Sequence, residues 1–291
     1  MTPALACVLD AKASLGECPV WSAEDRVLYW VDINAPSLNR FDPATGLNTA
    51  WPMPESIGCF ALRARGGFVA ALRGGFWLLD REGKLERKVA DAPYDPAHHR
   101  FNDGRADARG RFWAGSMNEK RDAATAKLHR LDPDFRLTAV IDGITVSNGL
   151  AFSPDGRTLY HADSPTQTVH AHDFDAPTGT IANRRVMKRF TVDGDFPDGA
   201  AVDRDGCYWS ALYRGGKVVR ISPQGELLAE FAVAARCPTM CAFGSADLRT
   251  LYVTSARQKR DPEELARLPQ SGGIFAMRVD TPGLPEPRFA G

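Results

Sequence analysis

No stretch of this sequence approaches the roughly 18–20 consecutive apolar residues that a membrane-spanning helix needs. There is no surplus of either charge: 36 Lys and Arg stand against 36 Asp and Glu, a net of zero. That balance argues against a nucleic-acid surface, where clustered basic side chains supply most of the affinity. The opening MTPALACVLDAK has no basic segment followed by a long apolar one, so the sequence predicts no secretory signal. Thr2 stands where an acylated Gly is needed, and the chain ends in Gly291, so no lipid anchor is expected. The six cysteines, at 7, 18, 59, 207, 237 and 241, are scattered and form no CxxC pair. They are expected to be reduced thiols in a cytoplasmic protein, with no structural zinc. GxSxG and HExxH are also absent, which argues against a nucleophile-elbow serine hydrolase and a zincin protease.

What is present is a repeat. A short apolar stretch, a tight turn and an aromatic-rich stretch recur at 20–32, 61–72, 106–117, 151–163, 201–212 and 242–255. Each copy reads as a β-hairpin, because Gly or Asp turn residues separate runs of strand formers. With Asp25, Gly66, Gly110, Gly156, Gly206 and Leu248 as turn markers, the spacings are 41, 44, 46, 50 and 42 residues. A second set of Asp/Pro/Gly turns (FDPATG, LDREGK, LDPDFR, FDAPTG, ISPQGE) falls between the copies. Two hairpins per unit and six units predict an all-β fold: a six-bladed β-propeller of four-stranded antiparallel blades around a central channel. Segment 272–280 and the N-terminal 4–10 are expected to complete the sixth blade together, removing an open edge. The one helix expected is 261–269, with Asp261 as N-cap and Pro262 at its first position. No linker divides the chain, so residues 1–291 are read as one domain.

The repeat permits a sharper test. Eight residues before each turn marker stand Glu17, Gly58, Asn102, Asn148 and Asp198; with a one-residue adjustment the sixth copy gives Thr239. Rotation about the propeller axis makes these positions equivalent. Glu17, Asn102, Asn148 and Asp198 would then converge on the channel mouth. Two carboxylates and two amide oxygens suit a hard divalent cation; the absence of His and Cys speaks against tetrahedral zinc. Taken singly, FNDG, SNGL and FPDG are ordinary turn signals. The common offset in four copies is what favours a metal site.

Other residues carry weaker signals. His170 and His172 would share a strand face, but without a third ligand they read as an outer-strand or surface pair. His98 and His99 fit either the channel mouth or the surface. Trp21, Trp30, Trp113 and Trp209 lie in the hairpin copies and are expected in blade packing. Tyr213 and Arg214 end a hairpin strand, and the sequence does not place them.

The stretches LGECPVW (15–21), RFNDGRADARGRFWAGSM (100–117), SNGLAFSPDGRTLY (147–160) and FPDGAAVDRDGCYWSAL (196–212) resemble the senescence marker protein 30/gluconolactonase family, over about residues 14–280. The resemblance implies a six-bladed propeller with one divalent metal in its channel, and in many bacterial members a lactonase of sugar acids. By motif, Glu17, Asn102, Asn148 and Asp198 match the metal ligands, and Arg100 and Asp103 match positions that contact substrate. An acidic lid residue is also implied; in the loop NEKRDAATAK (118–127) the nearest acid is Glu119, followed at once by Lys120 and Arg121. Arg100, Asn102, Asp103 and Glu119 thus form the candidate substrate-contacting set. Cys18 departs from the small residue usual beside the first ligand, and a thiol there predicts sensitivity to oxidation.

Hydrolysis of a lactone needs a polarised carbonyl, an activated water and a stabilised oxyanion. Asp198 and Asp103 are the rival bases, and Arg100 offers donors to the lactone oxygens. The expected substrate is an aldonolactone such as that of gluconate, xylonate, arabinonate or galactonate. Calcium, zinc, iron(II), manganese and magnesium all remain candidates for the ion. A metal-dependent esterase or phosphotriesterase, and a non-catalytic calcium-binding propeller, are the competing readings. No nucleic-acid or membrane partner is expected.

Overall fold

The computed structural model describes residues 5–291. It is a six-bladed β-propeller, each blade a four-stranded antiparallel sheet. Strand β1 (Ala6–Leu9) belongs to the last blade and pairs with β24 (Ile274–Arg278), which follows β22 (Cys237–Gly244) and β23 (Thr250–Ala256). The expected closure by both ends of the chain is therefore present, apart from residue 4, which lies outside the described residues. Blade one comprises β2 (Gly16–Ser22), β3 (Val27–Asp32), β4 (Ser37–Asp42) and β5 (Leu47–Pro52). Blade two comprises β6 (Ile57–Leu62), β7 (Phe68–Leu72), β8 (Gly75–Leu79) and β9 (Leu85–Asp91). Blade three comprises β10 (His99–Ala106), β11 (Phe112–Asn118), β12 (Ala126–Leu131) and β13 (Leu137–Ile144). Blade four comprises β14 (Ser147–Phe152), β15 (Thr158–Asp163), β16 (Thr168–Asp175) and β17 (Thr180–Arg189), and blade five β18 (Phe196–Val202), β19 (Tyr208–Tyr213), β20 (Lys217–Ile221) and β21 (Leu227–Ala232).

Burial grades outward along each blade. Strands β2, β6, β18 and β22 are buried almost throughout, while β5, β9, β17 and β21 are largely exposed. The four tryptophans of the hairpin copies are all buried. Trp113 Nε1 donates to Asp107 at 2.8 Å, and Trp209 Nε1 donates to Asp203 at 2.9 Å, so each indole is satisfied by a carboxylate of its own hairpin turn. The helix α1 (Pro262–Arg267) is shorter than the expected span, and Asp261 caps it by accepting from Glu264 N at 2.7 Å. Among the described residues, no helix is long and apolar enough to cross a membrane.

One irregularity recurs on the innermost strands and was not visible in the sequence. Four residues of β2 (Glu17 to Val20) stand opposite only three of β3 (Val31 to Tyr29). The same extra residue occurs at Phe101–Gly104, Asn148–Ala151, Pro197–Ala200 and Pro238–Cys241. These are β-bulges, which break the strict alternation of a strand and re-aim side chains. The Glu17, Asn102, Asn148 and Asp198 positions all fall at them.

Candidate active site

The bulged ends of β2, β10, β14 and β18 meet around a cavity of about 270 Å³, lined among others by Glu17, Arg100, Asn102, Asn148 and Asp198. The four residues picked out by the repeat offset are thus brought together, with Arg100 beside them. Gly58 and Thr239, the equivalent positions in the other two blades, are occupied by packing. A side chain at Gly58 would lie 2.4 Å from the Phe101 carbonyl, so blade two admits no Cβ there. Thr239 is fully buried and its hydroxyl is hydrogen-bonded to Gly16 O and Thr254.

Two aspartates set the cavity's apolar edge. Asp32, at the end of β3, accepts from Ser14 N (2.7 Å) and Leu15 N (3.0 Å). Asp163, at the end of β15, accepts from Thr145 N (3.2 Å) and Val146 N (2.9 Å). Each carboxylate holds the loop entering an innermost strand, which fixes Leu15 and Val146 on the cavity wall.

The polar floor is tightly connected. Arg100 Nη1 donates to Phe101 O and to Asn102 Oδ1, both at 2.8 Å. Asn102 Nδ2 donates to Asn148 Oδ1 (2.8 Å) and Ser147 O (2.9 Å), and Asn148 Nδ2 donates to Ser164 Oγ at 2.7 Å. Each amide oxygen keeps a second lone pair. Glu17 and Asp198 are buried and form no ion pair among the described residues. Burial raises the Glu17 carboxyl well above its ordinary range, and the neighbouring Asp198 and Asp103 raise it further. Asp198 is raised by burial and by Asp103, partly offset by Arg121 and Arg100. Two desolvated carboxylates pushed toward the neutral form by burial and by neighbouring negative charge are a poor arrangement alone and a good one around a cation. The donor set therefore fits a divalent ion held by Glu17, Asn102, Asn148 and Asp198. No group of three or more His, Cys, Asp or Glu is placed for a metal among the described residues, and half of this set is amide.

Three residues singled out in the sequence lie away from the cavity wall. Asp103 is buried but absent from the cavity wall; its Oδ2 accepts from Leu150 N at 2.9 Å, and Oδ1 has no hydrogen-bond partner. It follows Asn102 on the same strand and projects behind the floor. Glu119 is also off the wall. It forms a two-pronged pair with Arg73 (2.8 and 2.9 Å), which holds its carboxyl low, and reaches only to 3.9 Å from Arg100. Cys18 is sealed in the core, its Sγ against Phe60 N and O, and burial keeps the thiol protonated. Protonated, inaccessible thiols resist oxidation.

The remaining open positions resolve as follows. His98 is exposed and His99 half-buried, bonded to Thr125, and neither lines the cavity. His172 is buried rather than superficial, and His170 is half-buried beside Arg184 on β16. Tyr213 and Arg214 do line the cavity, as do Arg121, Phe196, Ser164 and Gln258, none of which sequence reasoning assigned. The signal available for Tyr213 and Arg214 was their place at the end of a hairpin strand, on the side from which Asp198 enters.

The profile of the SMP-30/Gluconolactonase/LRE-like region matches residues 15–257. The chain is 48% identical over the full length of both chains to a 6-deoxy-6-sulfogluconolactonase of Pseudomonas putida. It is 35% identical to regucalcin of Oryctolagus cuniculus, with 98% of each chain covered. A calcium-binding protein, regucalcin from Agrobacterium tumefaciens, superposes with a TM-score of 0.95 at 27% identity, covering 99% of this chain and 98% of that one. The matched region contains the strands that carry Glu17, Arg100, Asn102, Asn148 and Asp198, and the chain belongs to the SMP-30/gluconolactonase family.

Proposed function

We propose that this lactonase opens a sugar-acid lactone to the free acid with one divalent cation held by Glu17, Asn102, Asn148 and Asp198. The observation that carries the reading is the pair of buried carboxylates, Glu17 and Asp198, facing one cavity beside two amide oxygens. The Pseudomonas relative, named for a sulfonated aldonolactone, supports lactones of sugar acids as the substrate class. When bound, the cation supplies Lewis-acid polarisation of the lactone carbonyl and stabilisation of the oxyanion.

The chain's own residues do the rest. Asp198, on the wall, is placed to take the proton from the attacking water; Asp103, behind the wall, is not. Arg100 is locked by Phe101 O and Asn102, so its remaining N–H groups face the cavity in a fixed direction and can donate to the ester or hydroxyl oxygens. Leu15, Val146, Met117 and Phe196 give the ring an apolar seat. The polar floor favours a hydroxylated lactone over an apolar ester or phosphotriester.

Asp198→Asn and Glu17→Gln are each expected to cut lactone hydrolysis by about 100-fold or more, the scale of losing a positioned proton acceptor or a ligand. Both should also abolish the rise in melting temperature that added divalent metal gives the wild type. Hydrolysis at the wild-type rate by Asp198→Asn overturns this assignment.

A further inference from the structure

The mouth of the cavity carries two arginines that no carboxylate pairs directly. Arg100 is engaged by Phe101 O and Asn102 and lies 3.9 Å from Glu119. Arg121 and Arg214 differ. Both line the cavity and both are exposed, and neither has a carboxylate within salt-bridge reach among the described residues. The acids of the neighbouring loops are engaged elsewhere, Glu119 by Arg73, Asp122 by Asn118 and Asp195 by Lys217, and in the cavity itself Asp198 feels Arg121 only beyond ion-pair distance.

Both positions are built rather than incidental. Buried Asn118 pins the loop after β11: its Oδ1 accepts from Lys120 N, and its Nδ2 donates to Asp122 and Ala123 O. Arg121 N closes the turn on Asn118 O at 3.0 Å. Arg121 holds φ +58°, a left-handed conformation uncommon for residues with side chains, and this turns the chain at the cavity edge. Arg214 does the same after β19, with φ +67°, and its guanidinium lies 5.8 Å from the ring centre of Phe196, another wall residue.

A guanidinium fork matches the paired oxygens of a sulfonate, phosphate or carboxylate and binds them with charge-assisted hydrogen bonds. A neutral lactone offers only hydroxyls there. We propose that Arg121 and Arg214 form an anion subsite at the cavity mouth. The substrate is then a sugar lactone bearing an acidic group at the end of its carbon chain remote from the ester. This rests on the lactonase reading for the word lactone, while the subsite can be tested without turnover.

The test is calorimetric titration of the metal-loaded full chain with four open-chain acids: gluconate, its 6-sulfonated and 6-phosphorylated forms, and glucarate. At least one acid-tailed form is expected to bind about tenfold or more tighter than gluconate, and the preferred one identifies the group. Arg121→Gln and Arg214→Gln should each remove most of that preference. Lys120→Gln, in the same loop but off the wall, should keep it. Equal affinity for all four acids, or a preference that survives in the double variant, overturns the subsite. Hydrolysis rates of the matching lactones separate the two claims. Turnover of neutral lactone with no acid-tail preference keeps the lactonase and discards the subsite. A preference in binding with no lactone hydrolysed does the reverse.

Discussion

A carboxylate taken out of water stays ionised only if positive charge meets it. That rule makes Glu17 and Asp198 informative; Asp103, also buried and raised, has Oδ2 on a backbone amide and Arg105 nearby to offset its charge. The sequence grouped Glu17, Asn102, Asn148 and Asp198, which meet at one cavity, because equivalent repeat positions are related by rotation about the propeller axis. Where Asp103 points was not legible, because sequence adjacency says nothing about facing inside a bulge. Glu119 was drawn to the site by its charge, but Arg73, from the adjacent blade two, holds it. Histidines offer a separate check at this scale. Burial lowers His161 to about 3, with its Nε2 2.8 Å from Ser147 Oγ. The folded state thus keeps His161 neutral while the unfolded chain takes up a proton below about pH 6.5. Stability from this group is full above that pH and is lost as pH falls toward the folded value. From pH 7 to pH 5, His161 alone is expected to cost about 2 kcal/mol. Denaturant melts at the two pH values check this, and equal stability of the wild type at both contradicts it.

At the level of the strand, the alternation of apolar and turn residues was enough to count blades and to see that both chain ends share one sheet. Bulges were not legible, since one extra residue leaves no compositional mark; only the pairing register shows it. Yet the bulges are what turn the four donors inward. Arg121 and Arg214 escaped for a similar reason, because a left-handed residue at a strand end reads as any other loop residue. The closure of the sixth blade gives this scale its prediction. Removing residues 1–10 takes β1 from β24 and exposes the latter's unpaired backbone groups. The truncated protein is expected to melt several degrees lower, as a loss of about 2–3 kcal/mol implies for a chain of this size, and to aggregate on heating. An unchanged melting temperature in calorimetry would show that the sheet edge tolerates solvent.

Across the whole molecule the two ends of the channel differ. The bulged ends form the polar cavity, and the hairpin-turn ends are crossed by the C-terminal segment. Gly283 N donates to Leu248 O in blade six, while Phe289 N donates to Leu62 O and Ala290 N to Gly110 O, in blades two and three. Phe289 is fully buried there, beside Phe135. Nothing in the repeat pattern pointed to this strap, because it belongs to no blade. Phe289→Ala is expected to destabilise the fold by about 3–5 kcal/mol through the cavity it leaves. The Michaelis constant should be unchanged, since the cavity lies at the other end; equilibrium unfolding and steady-state kinetics on one preparation separate the two effects. The account as a whole stands on the cavity, and the most direct test is acid release from a panel of sugar-acid lactones by chelator-stripped protein, with each divalent metal restored in turn and the spontaneous rate subtracted. Hydrolysis that is absent in stripped protein and returns with an oxygen-preferring cation is the expected result; hydrolysis that persists undiminished after stripping, or none with any metal, contradicts it.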